Sequence, residues 1–265
     1  MKISTLNINS VNARINNLGD WLKRHNPDIL LLQEIKSEFN NFPFFDLQML
    51  GYEAKILGQK SYNGVAVLSR HPLVVKEENL PNFADENARY LECEVKIAAE
   101  KYMVASLYLP NGNPPANNLQ DETKFIYKLG WMDAFLQHSD KLLSEKKNVI
   151  LGGDFNVILT AKDVFNPEQF QGDALYRPEV QGRLKYLINN GYCDTYRILH
   201  PEDNGYTFWD YTGGAFQNDL GLRIDYILSS PALTDRLVSC EIDRDFRSWD
   251  KSSDHTILTA EFKDM

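Results

Sequence analysis

The chain has 265 residues, of which 28 are Lys or Arg and 37 are Asp or Glu, so its formal net charge is −9. Hydrophobic residues make up 43% and charged residues 25%, a composition typical of a globular protein with a buried apolar core. The acidic balance disfavours a protein that coats nucleic acid without sequence preference, because such proteins are usually basic. It does not exclude an enzyme that meets nucleic acid through a local basic patch.

Membrane insertion, export and disulfide bonding are not indicated. The longest apolar stretch, Ile29–Leu32, is too short to span a bilayer, and Met1–Thr5 lacks the apolar run of a signal peptide. Cys93, Cys193 and Cys240 lie far apart and form neither a CxxC metal site nor a disulfide framework. We therefore expect a cytoplasmic protein without a membrane partner.

Short apolar runs bounded by Gly, Pro, Asn or Asp predict eight β-strands. In chain order they are Ile3–Ile8, Ile29–Leu32, Val65–Leu68, Leu91–Ile97, Met103–Leu109, Val149–Leu151, Ile224–Leu228 and Thr256–Phe262.

Apolar residues at helical spacing predict three helices, at about Val11–His25, within Asp121–Ser144, and at about Pro178–Asn190. Long loops remain between these elements, and loops of such length in a compact domain are usually functional. They are Lys36–Gly51, Asn111–Asp121, Thr160–Arg177 and Pro201–Gly221. Since no repeat or flexible linker divides the sequence, we expect one α/β domain over residues 1–265.

Polar side chains recur at the ends of the predicted strands or inside them. They are Asn7, Glu34, Asp154, Asn156, Asp225, Asp254 and His255. A buried carboxylate is destabilising unless it is paired, hydrogen-bonded or bound to a metal. If the strand ends converge, the four carboxylates, two amides and imidazole form one cluster that requires a cation.

A cluster rich in oxygen ligands favours Mg²⁺ or Mn²⁺ over zinc, and a hard cation beside a His–Asp pair suits phosphoryl transfer to water. Each part alone has an ordinary structural explanation. Gly152–Asn156 is also typical of a turn after a strand, and Asp254 and His255 of a solvated loop. Only Asp225, which interrupts an apolar run, requires a partner by itself, and a His is a natural one.

Segments along nearly the whole chain resemble the exonuclease III family of abasic-site endonucleases, within the endonuclease/exonuclease/phosphatase superfamily. In order they are Met1–Arg14, Pro27–Lys36, Tyr62–Ser69, Ser106–Gly112, Gly153–Asn156, Thr207–Tyr211, Gly221–Leu228 and Ser253–His255. The resemblance implies a four-layer α/β sandwich, in which two mixed β-sheets are flanked by helices and the site lies at one edge of the sheets.

The resemblance also implies ligands for a Mg²⁺ cofactor, for which Mn²⁺ can substitute. Glu34 is the principal ligand, with Asn7 beside it and Asp254 contributing directly or through water. The remaining implied ligands are Asp154, Asn156 and His255.

For catalysis, the resemblance implies that Asp154 activates the attacking water or protonates the leaving oxygen, and that Asn156 holds that water or a phosphate oxygen. Tyr108 stabilises the transition state. His255, oriented by Asp225, binds the scissile phosphate or serves as the base. Whether Asp154 or His255 takes the proton stays open at this point.

An apolar pocket for an extruded sugar without a base is implied at Phe208, Trp209, Leu222 and Ile224. Extrusion of an abasic nucleotide is cheap because it has no base stacking to lose. The implied DNA contacts are Asn111, Arg177 and Arg223. Other basic residues near the implied DNA face are Arg14, Lys36, Lys60, Lys124 and Lys128. Asp219 and Thr212 depart from the family, which usually has Asn and often Arg there, and we expect both to weaken the grip on DNA.

The implied function is a Mg²⁺-dependent DNA repair nuclease that cuts duplex DNA 5′ to abasic sites and/or acts as a 3′–5′ exonuclease and 3′-end phosphodiesterase or phosphatase. Its expected partner is duplex DNA with abasic sites, nicks or blocked 3′ ends. We further expect a monomer associated with the nucleoid. The alternative is a superfamily phosphatase or phosphodiesterase that acts on phosphorylated small molecules or lipids. A binding protein without activity is disfavoured, because no expected metal ligand is missing.

Overall fold

A computed structural model describes residues 1–145 and 148–263, and this part of the chain forms twelve strands. In chain order the strands are β1 (Lys2–Asn7), β2 (Ile29–Gln33), β3 (Glu53–Leu57), β4 (Val65–Ser69), β5 (Leu73–Glu78), β6 (Tyr90–Ile97), β7 (Glu100–Tyr108), β8 (Asn148–Asp154), β9 (Cys193–Asp194), β10 (Asp225–Ser229), β11 (Leu237–Asp243) and β12 (Ile257–Phe262).

The same residues form helices of very different lengths. The α-helices are α1 (Val11–His25), α2 (Phe44–Met49), α3 (Thr123–Ser144), α4 (Pro178–Asn189), α5 (Thr195–Leu199), α6 (Pro231–Thr234) and α7 (Arg244–Arg247). Short 3-10 helices occur at Phe39–Asn41, Ala161–Asp163 and Pro167–Phe170. The three predicted helices are confirmed as α1, α3 and α4. None of the described helices is long and apolar enough to cross a membrane.

The strands form two six-stranded mixed sheets. The first has the order β11-β12-β1-β2-β4-β3, with β1 and β2 parallel and the other pairs antiparallel. The second has the order β5-β6-β7-β8-β10-β9, with β7 and β8 as its parallel pair.

Three apolar clusters hold the layers together. One lies between the sheets and includes Ile3 and Leu31 of the first sheet with Val104 and Ile150 of the second. Another joins the outer face of the first sheet to α1 and α2, and the third joins the outer face of the second sheet to α3 and α4. This is the predicted four-layer sandwich, and the fold prediction is confirmed.

Four strands were absent from the sequence prediction: β3, β5, β9 and β11. Each of them is an edge strand of its sheet. Edge strands have one unpaired side and are half exposed here, so their sequences carry few consecutive apolar residues. The eight predicted strands are the eight that lie inside the two sheets.

The topology brings distant segments to one end of the sandwich. The parallel pairs β1–β2 and β7–β8 end at this edge, where the chain passes through Asn7, Glu34, Tyr108 and Asp154. The antiparallel strands β10 and β12 begin there, so that Asp225 and His255 reach the same place. The polar residues predicted to converge therefore do converge.

Candidate active site

An Asp–His–Asp row forms the buried centre of the site. Asp154 ends β8 and Asp225 begins β10, and the two are direct partners in the antiparallel ladder. The Nδ1 atom of His255 lies 2.8 Å from Oδ2 of Asp225, and its Nε2 atom lies 3.8 Å from Oδ2 of Asp154. All three side chains are buried, with at most 4% of any residue exposed. The imidazole is therefore held between two carboxylates.

The turn after β8 depends on a glycine and a left-handed asparagine. Gly153 has a φ of 152°, and a Cβ there would lie 1.9 Å from the carbonyl oxygen of Leu107, so no other residue fits. Asn156 has a φ of 48° and donates its backbone N–H to Asp154 Oδ1 at 2.9 Å. Its amide nitrogen donates to the Leu109 carbonyl. These bonds fix the Asp154 carboxylate and the Asn156 amide together.

A single amide connects the two sheets at the site. The Nδ2 atom of Asn7 donates to Glu34 Oε1 at 2.9 Å and to Asp154 Oδ2 at 3.0 Å. Its Oδ1 atom accepts from the backbone N–H of Asn9. The nitrogen of Asn7, rather than its oxygen, faces the two carboxylates here, and its expected role as a metal ligand stays a prediction. Asn7 orients Glu34 and Asp154.

A polar chain that the sequence did not indicate extends from Glu34 to the rim. The ammonium of Lys36 lies 2.8 Å from Glu34 Oε2 and donates to Asn9 Oδ1 at 2.6 Å. Asn9 in turn donates to Asp254 Oδ1 at 3.0 Å. Lys36 therefore belongs to the carboxylate cluster, where it pairs with Glu34. A contact of Lys36 with DNA stays a prediction.

Burial and neighbouring charges set the protonation of these groups. Burial raises the pKa of Asp154 to about 7, against the opposing effect of His255. Burial lowers the pKa of His255, but the facing carboxylates, led by Asp225, raise it to about 10. Burial also acts to raise the pKa of Glu34, yet hydrogen bonds from Asn7 and Lys36 hold that pKa below its usual range. The imidazole is cationic near neutral pH and Glu34 is ionised.

Tyr108 lines the site beside these groups and stays protonated. Burial, together with the charges of Glu34 and Asp154, raises its pKa well above the usual value. The guanidinium of Arg89 lies 4.9 Å from the centre of the Tyr108 ring and donates to the Tyr108 carbonyl at 3.2 Å. Tyr108 is thus a hydroxyl donor beside a fixed positive charge. Arg89 was missed because it lies outside every segment used for the sequence prediction.

The donor set fits a hard divalent cation. Oxygens of Asp154 and Asp225 lie within 4.8 Å of each other, and a nitrogen of His255 lies equally close but has no free lone pair while the imidazole is cationic. Asp225 Oδ1 is buried and has no hydrogen-bond partner among the described residues, although a buried carboxylate oxygen needs one. A set dominated by carboxylate oxygens is one that Mg²⁺ or Mn²⁺ binds.

A cavity of about 430 Å³ is lined by polar residues that include Asp154 and His255, and by apolar residues. Its apolar wall includes Phe165, Phe170, Leu175, Phe208, Leu222 and Ile224. Three of the four predicted pocket residues thus line it, and Phe208 packs against His255 with ring centres 4.9 Å apart. The others come from the predicted loop Thr160–Arg177, whose sequence has no periodic pattern that could have indicated them.

Trp209, which the sequence predicted to line the pocket, does not line the cavity. It is fully buried behind the cavity with Tyr206 and Ala215, and its indole N–H donates to Asp219 at 3.1 Å. Phe208 lies in an extended segment that bridges to Leu222, and successive side chains of extended backbone point to opposite sides. Because Phe208 faces the cavity, Trp209 cannot.

The same alternation removes Arg223 from the expected DNA contacts. Leu222 and Ile224 face the cavity, whereas the Arg223 side chain is 1% exposed. Its guanidinium bonds to Asp163 at 2.6 Å and to Asp194 at 2.8 Å. Arg223 is therefore part of the core and cannot reach DNA.

We expect Arg223→Met to lower the free energy of unfolding by about 3–5 kcal/mol, because it leaves two buried carboxylates short of a partner. Urea denaturation measures this loss. The salt dependence of DNA affinity should stay unchanged, and the exposed-pair variant Arg177→Met should cost about 1 kcal/mol or less. Normal stability with a shallower salt dependence in Arg223→Met would show a DNA contact instead.

The other expected DNA contacts lie at the surface. Asn111 is exposed, lines the cavity and approaches Asn156 Oδ1 at 3.5 Å. Arg177 is already paired with Glu122 and Glu179, at 2.7 and 2.9 Å, and covers the Phe125 ring. Contact of either residue with DNA stays a prediction.

The two departures from the family pattern occupy different environments. Asp219 accepts from Arg244 at 2.6 Å, so its negative charge is already paired and is not free to repel phosphate. Thr212 closes an exposed turn by bonding to Asp210. The sequence predicted that Asp219 would weaken DNA binding by repelling phosphate. Its pairing with Arg244 reduces the negative charge available for that repulsion.

Comparison with known proteins gives consistent matches. The sequence profile described as "Endonuclease/Exonuclease/phosphatase family" matches residues 4–255. The chain is 30% identical over 271 residues to exodeoxyribonuclease III of Haemophilus influenzae, covering 99% of this chain and 100% of that protein.

Solved structures are similar along their whole length. An AP endonuclease from Archaeoglobus fulgidus is 32% identical, with a TM-score of 0.90 and coverage of 100% of both chains. A variant of the 3′ phosphatase NExo from Neisseria, bound to a product DNA hairpin, is 34% identical, with a TM-score of 0.91 and coverage of 99% of both chains.

Proposed function

The chain belongs to the endonuclease/exonuclease/phosphatase family, as its sequence predicts, and from this premise we propose that it cuts duplex DNA 5′ to abasic sites with Mg²⁺ as cofactor. The broader activity follows from its relatives: the chain is a DNA repair nuclease, a metal-dependent hydrolase of DNA phosphodiesters. The proposal adds the cation, the position of the cut and the roles of the residues. The monomeric state and the association with the nucleoid stay predictions.

The observation that carries the proposal is the junction between the cavity and the Asp–His–Asp row. Phe208 is both a wall of the cavity and a neighbour of His255, through a backbone bridge and a ring contact. A sugar in the cavity therefore has its phosphate beside the imidazole. An abasic nucleotide enters at low cost because it has no base to unstack, and an apolar wall suits a sugar without a base.

The charges of the site assign the proton transfers. His255, kept cationic by Asp225, binds a phosphate oxygen through its Nε2–H. Asp154, whose pKa is raised by burial in the absence of a cation, accepts the proton of the attacking water. Tyr108 and the amides of Asn111 and Asn156 donate towards the charge that develops on the phosphate. We therefore propose Asp154 as the base, a role that the sequence left open between Asp154 and His255.

Carboxylates from both sheets would hold the cation. Glu34 from the first sheet and Asp154 from the second both accept from Asn7 Nδ2, and an oxygen of Asp225 lies within 4.8 Å of one of Asp154. Asp254 lines the same cavity. When bound, Mg²⁺ would neutralise the negative charge of the phosphate and the charge that develops on the leaving oxygen. We expect Mn²⁺ to substitute, because the same oxygen ligands suit both ions.

The same residues also serve a phosphate at a 3′ end, since hydrolysis there requires the same groups. The similar NExo structure is described as that of a 3′ phosphatase. We therefore propose 3′-end processing at nicks as a second activity of the same site. Phosphorylated small molecules have no support from these relatives, which are an exodeoxyribonuclease, an AP endonuclease and a 3′ phosphatase bound to a DNA hairpin.

The test is cleavage of a labelled duplex that carries one abasic-site analogue, with Mg²⁺ and with a chelator. An undamaged nicked duplex is assayed beside it. We expect Mg²⁺-dependent incision on the 5′ side of the analogue. Shortening of the nicked strand without incision at the analogue would contradict the endonuclease proposal and leave only 3′-end processing.

Phe208→Ala should reduce the preference for abasic over intact duplex by about 10-fold or more, because a cavity wall of this size contributes about 1–3 kcal/mol to discrimination. The ratio of incision rates on the two duplexes measures this. Trp209→Phe is the matched control, since it alters only the buried layer behind the cavity. An equal effect of both changes would mean that Phe208 acts through packing alone.

A further inference from the structure

Lys128 of α3 is a fully buried lysine with three hydrogen bonds and no carboxylate among its bonded partners in the described chain. Its ammonium donates to the backbone carbonyls of Asn111 at 2.9 Å, Asn156 at 2.7 Å and Ala174 at 3.0 Å. Lysines are almost never fully buried unless paired. The sequence placed Lys128 among the basic residues of the DNA face, and its burial corrects that expectation.

The three carbonyls belong to three separate loops around the site. Asn111 lies after β7, Asn156 lies after β8, and Ala174 lies in the segment before α4. Asn111 and Asn156 both line the cavity, and the Asn111 amide nitrogen lies 3.5 Å from Asn156 Oδ1. Ala174 precedes Leu175, which is part of the apolar wall, and Leu175 also accepts from the backbone N–H of Ile158. One ammonium thus joins the two functional halves of the cavity.

The packing around the lysine stem is close. Gly112 has a φ of 87°, and a Cβ at this position would lie 2.6 Å from Cδ of Lys128 and 3.3 Å from Cβ of Ala174. The loop after β7 therefore lies directly on the stem. An apolar side chain could fill this space, but it could not satisfy three buried carbonyls.

The charge of this lysine is costly to bury. Burial lowers the pKa of Lys128 to about 7, while Asp154 and Asp173 act to raise it. In return, the Lys128 ammonium provides three N–H donors on one atom, one for each of the three carbonyls. Among side chains, only an ammonium has this arrangement. The three hydrogen bonds to separate loops, rather than the buried charge alone, set Lys128 apart from an ordinary lysine.

We propose that Lys128 is a positioning residue that fixes the distance between the phosphate-binding amides of Asn111 and Asn156 and the cavity wall at Ala174 and Leu175. The inference rests on the proposed function, because it requires that phosphate and sugar are bound at the same time. A shift of the order of an ångström between the two halves is enough to lower the rate of cleavage substantially.

The test compares Lys128→Met with the wild type on two duplexes, one with a tetrahydrofuran abasic analogue and one with an open-chain propanediol spacer. The tetrahydrofuran ring can contact the cavity wall, and the spacer has no ring to do so. We expect Lys128→Met to lower kcat on the ring analogue by about 100-fold, with KM changed by less than about 3-fold. The ring-to-spacer rate ratio should fall by about 10-fold.

Ser139→Ala is the matched control, because it removes another buried hydrogen bond of α3, from Ser139 Oγ to the Phe135 carbonyl, away from the loops. It should leave the ratio unchanged. If Lys128→Met does not fold, Asn113→Ala replaces it, since Asn113 Oδ1 accepts from the Ala174 N–H at 3.0 Å and joins the same loops. A lower ratio in Asn113→Ala supports the proposal.

An unchanged ratio in the folded variant, or an equal change in Ser139→Ala, overturns the positioning role. A wild-type ratio of one overturns it as well, because there is then no ring contact to position. The ratio is measured within one sample and does not depend on the folded fraction. Absence of any incision by the wild type is a different result, and it overturns the proposed function itself.

Discussion

Replacement of Asp154 by Asn is expected to lower kcat for incision by about 10²- to 10⁴-fold, the range typical of a lost general base. The amide keeps the shape of the side chain but cannot accept the proton of the attacking water. The hydrogen bond from the Asn156 N–H and the contacts at the phosphate side can remain, so binding of DNA should change little. Single-turnover cleavage and a binding titration under chelating conditions separate the two effects.

The same replacement should stabilise the metal-free protein near neutral pH. The pKa of Asp154 is raised from 3.8 to about 7 in the fold, so this group stabilises the fold below pH 4 and that contribution is lost as pH rises through 7. In Asp154→Asn this part of the pH dependence should be missing. Asp133→Asn, on the surface of α3, is the control for a generic loss of charge. Full activity in Asp154→Asn would remove Asp154 from the mechanism.

Asp225→Asn should have the second large effect, again a loss of about 10²- to 10⁴-fold in kcat. Asp225 bonds to His255 at 2.8 Å and is the main cause of its raised pKa, after the opposing effect of burial. Without the carboxylate, the pKa of His255 should fall from about 10 towards or below its ordinary value of 6.5. The imidazole then becomes neutral in the working range and loses the orientation of its ring.

Two measurements on metal-free protein check the Asp225 prediction. Titration of the His255 ring by NMR should show the lower pKa. Since the raised pKa of His255 stabilises the fold below pH 6.5 and that contribution is lost as pH rises through about 10, the variant should lack this pH dependence. An imidazole that stays cationic at pH 8 in Asp225→Asn would assign its charge to the other carboxylates.

The interior of the sandwich was predictable from sequence, and its edges were not. Strands with neighbours on both sides are buried on both faces, so β2 and β4 read as continuous apolar runs. The edge strand β5 alternates between exposed and half-buried residues and contains Lys76, Glu77 and Glu78. Such a sequence is equally typical of a loop, and only its pairing with β6 makes it a strand.

The candidate site divides in the same way. Sequence reasoning could identify three carboxylates of the site, Glu34, Asp154 and Asp225. Each follows or interrupts an apolar run, where a carboxylate is destabilising unless it has a partner. The errors at Trp209 and Arg223 arose from taking neighbouring residues as one surface, although alternation along extended backbone separates them. Lys128 and Leu175 could not be assigned from sequence, because their partners lie on loops that only the folded chain brings together.

The order in which the chain visits the sheets has a consequence for synthesis. The first sheet opens the chain with β1 to β4 and is completed only by β11 and β12, which follow all strands of the second sheet in the sequence. The residues that β12 carries into place, Asp254 and His255, are therefore the last of the site to leave the ribosome. A nascent chain that ends before residue 254 contains Glu34, Asp154 and Asp225 of the site but lacks the imidazole. With His255 in its proposed role, cleavage becomes possible only once the segment before β12 has been synthesised.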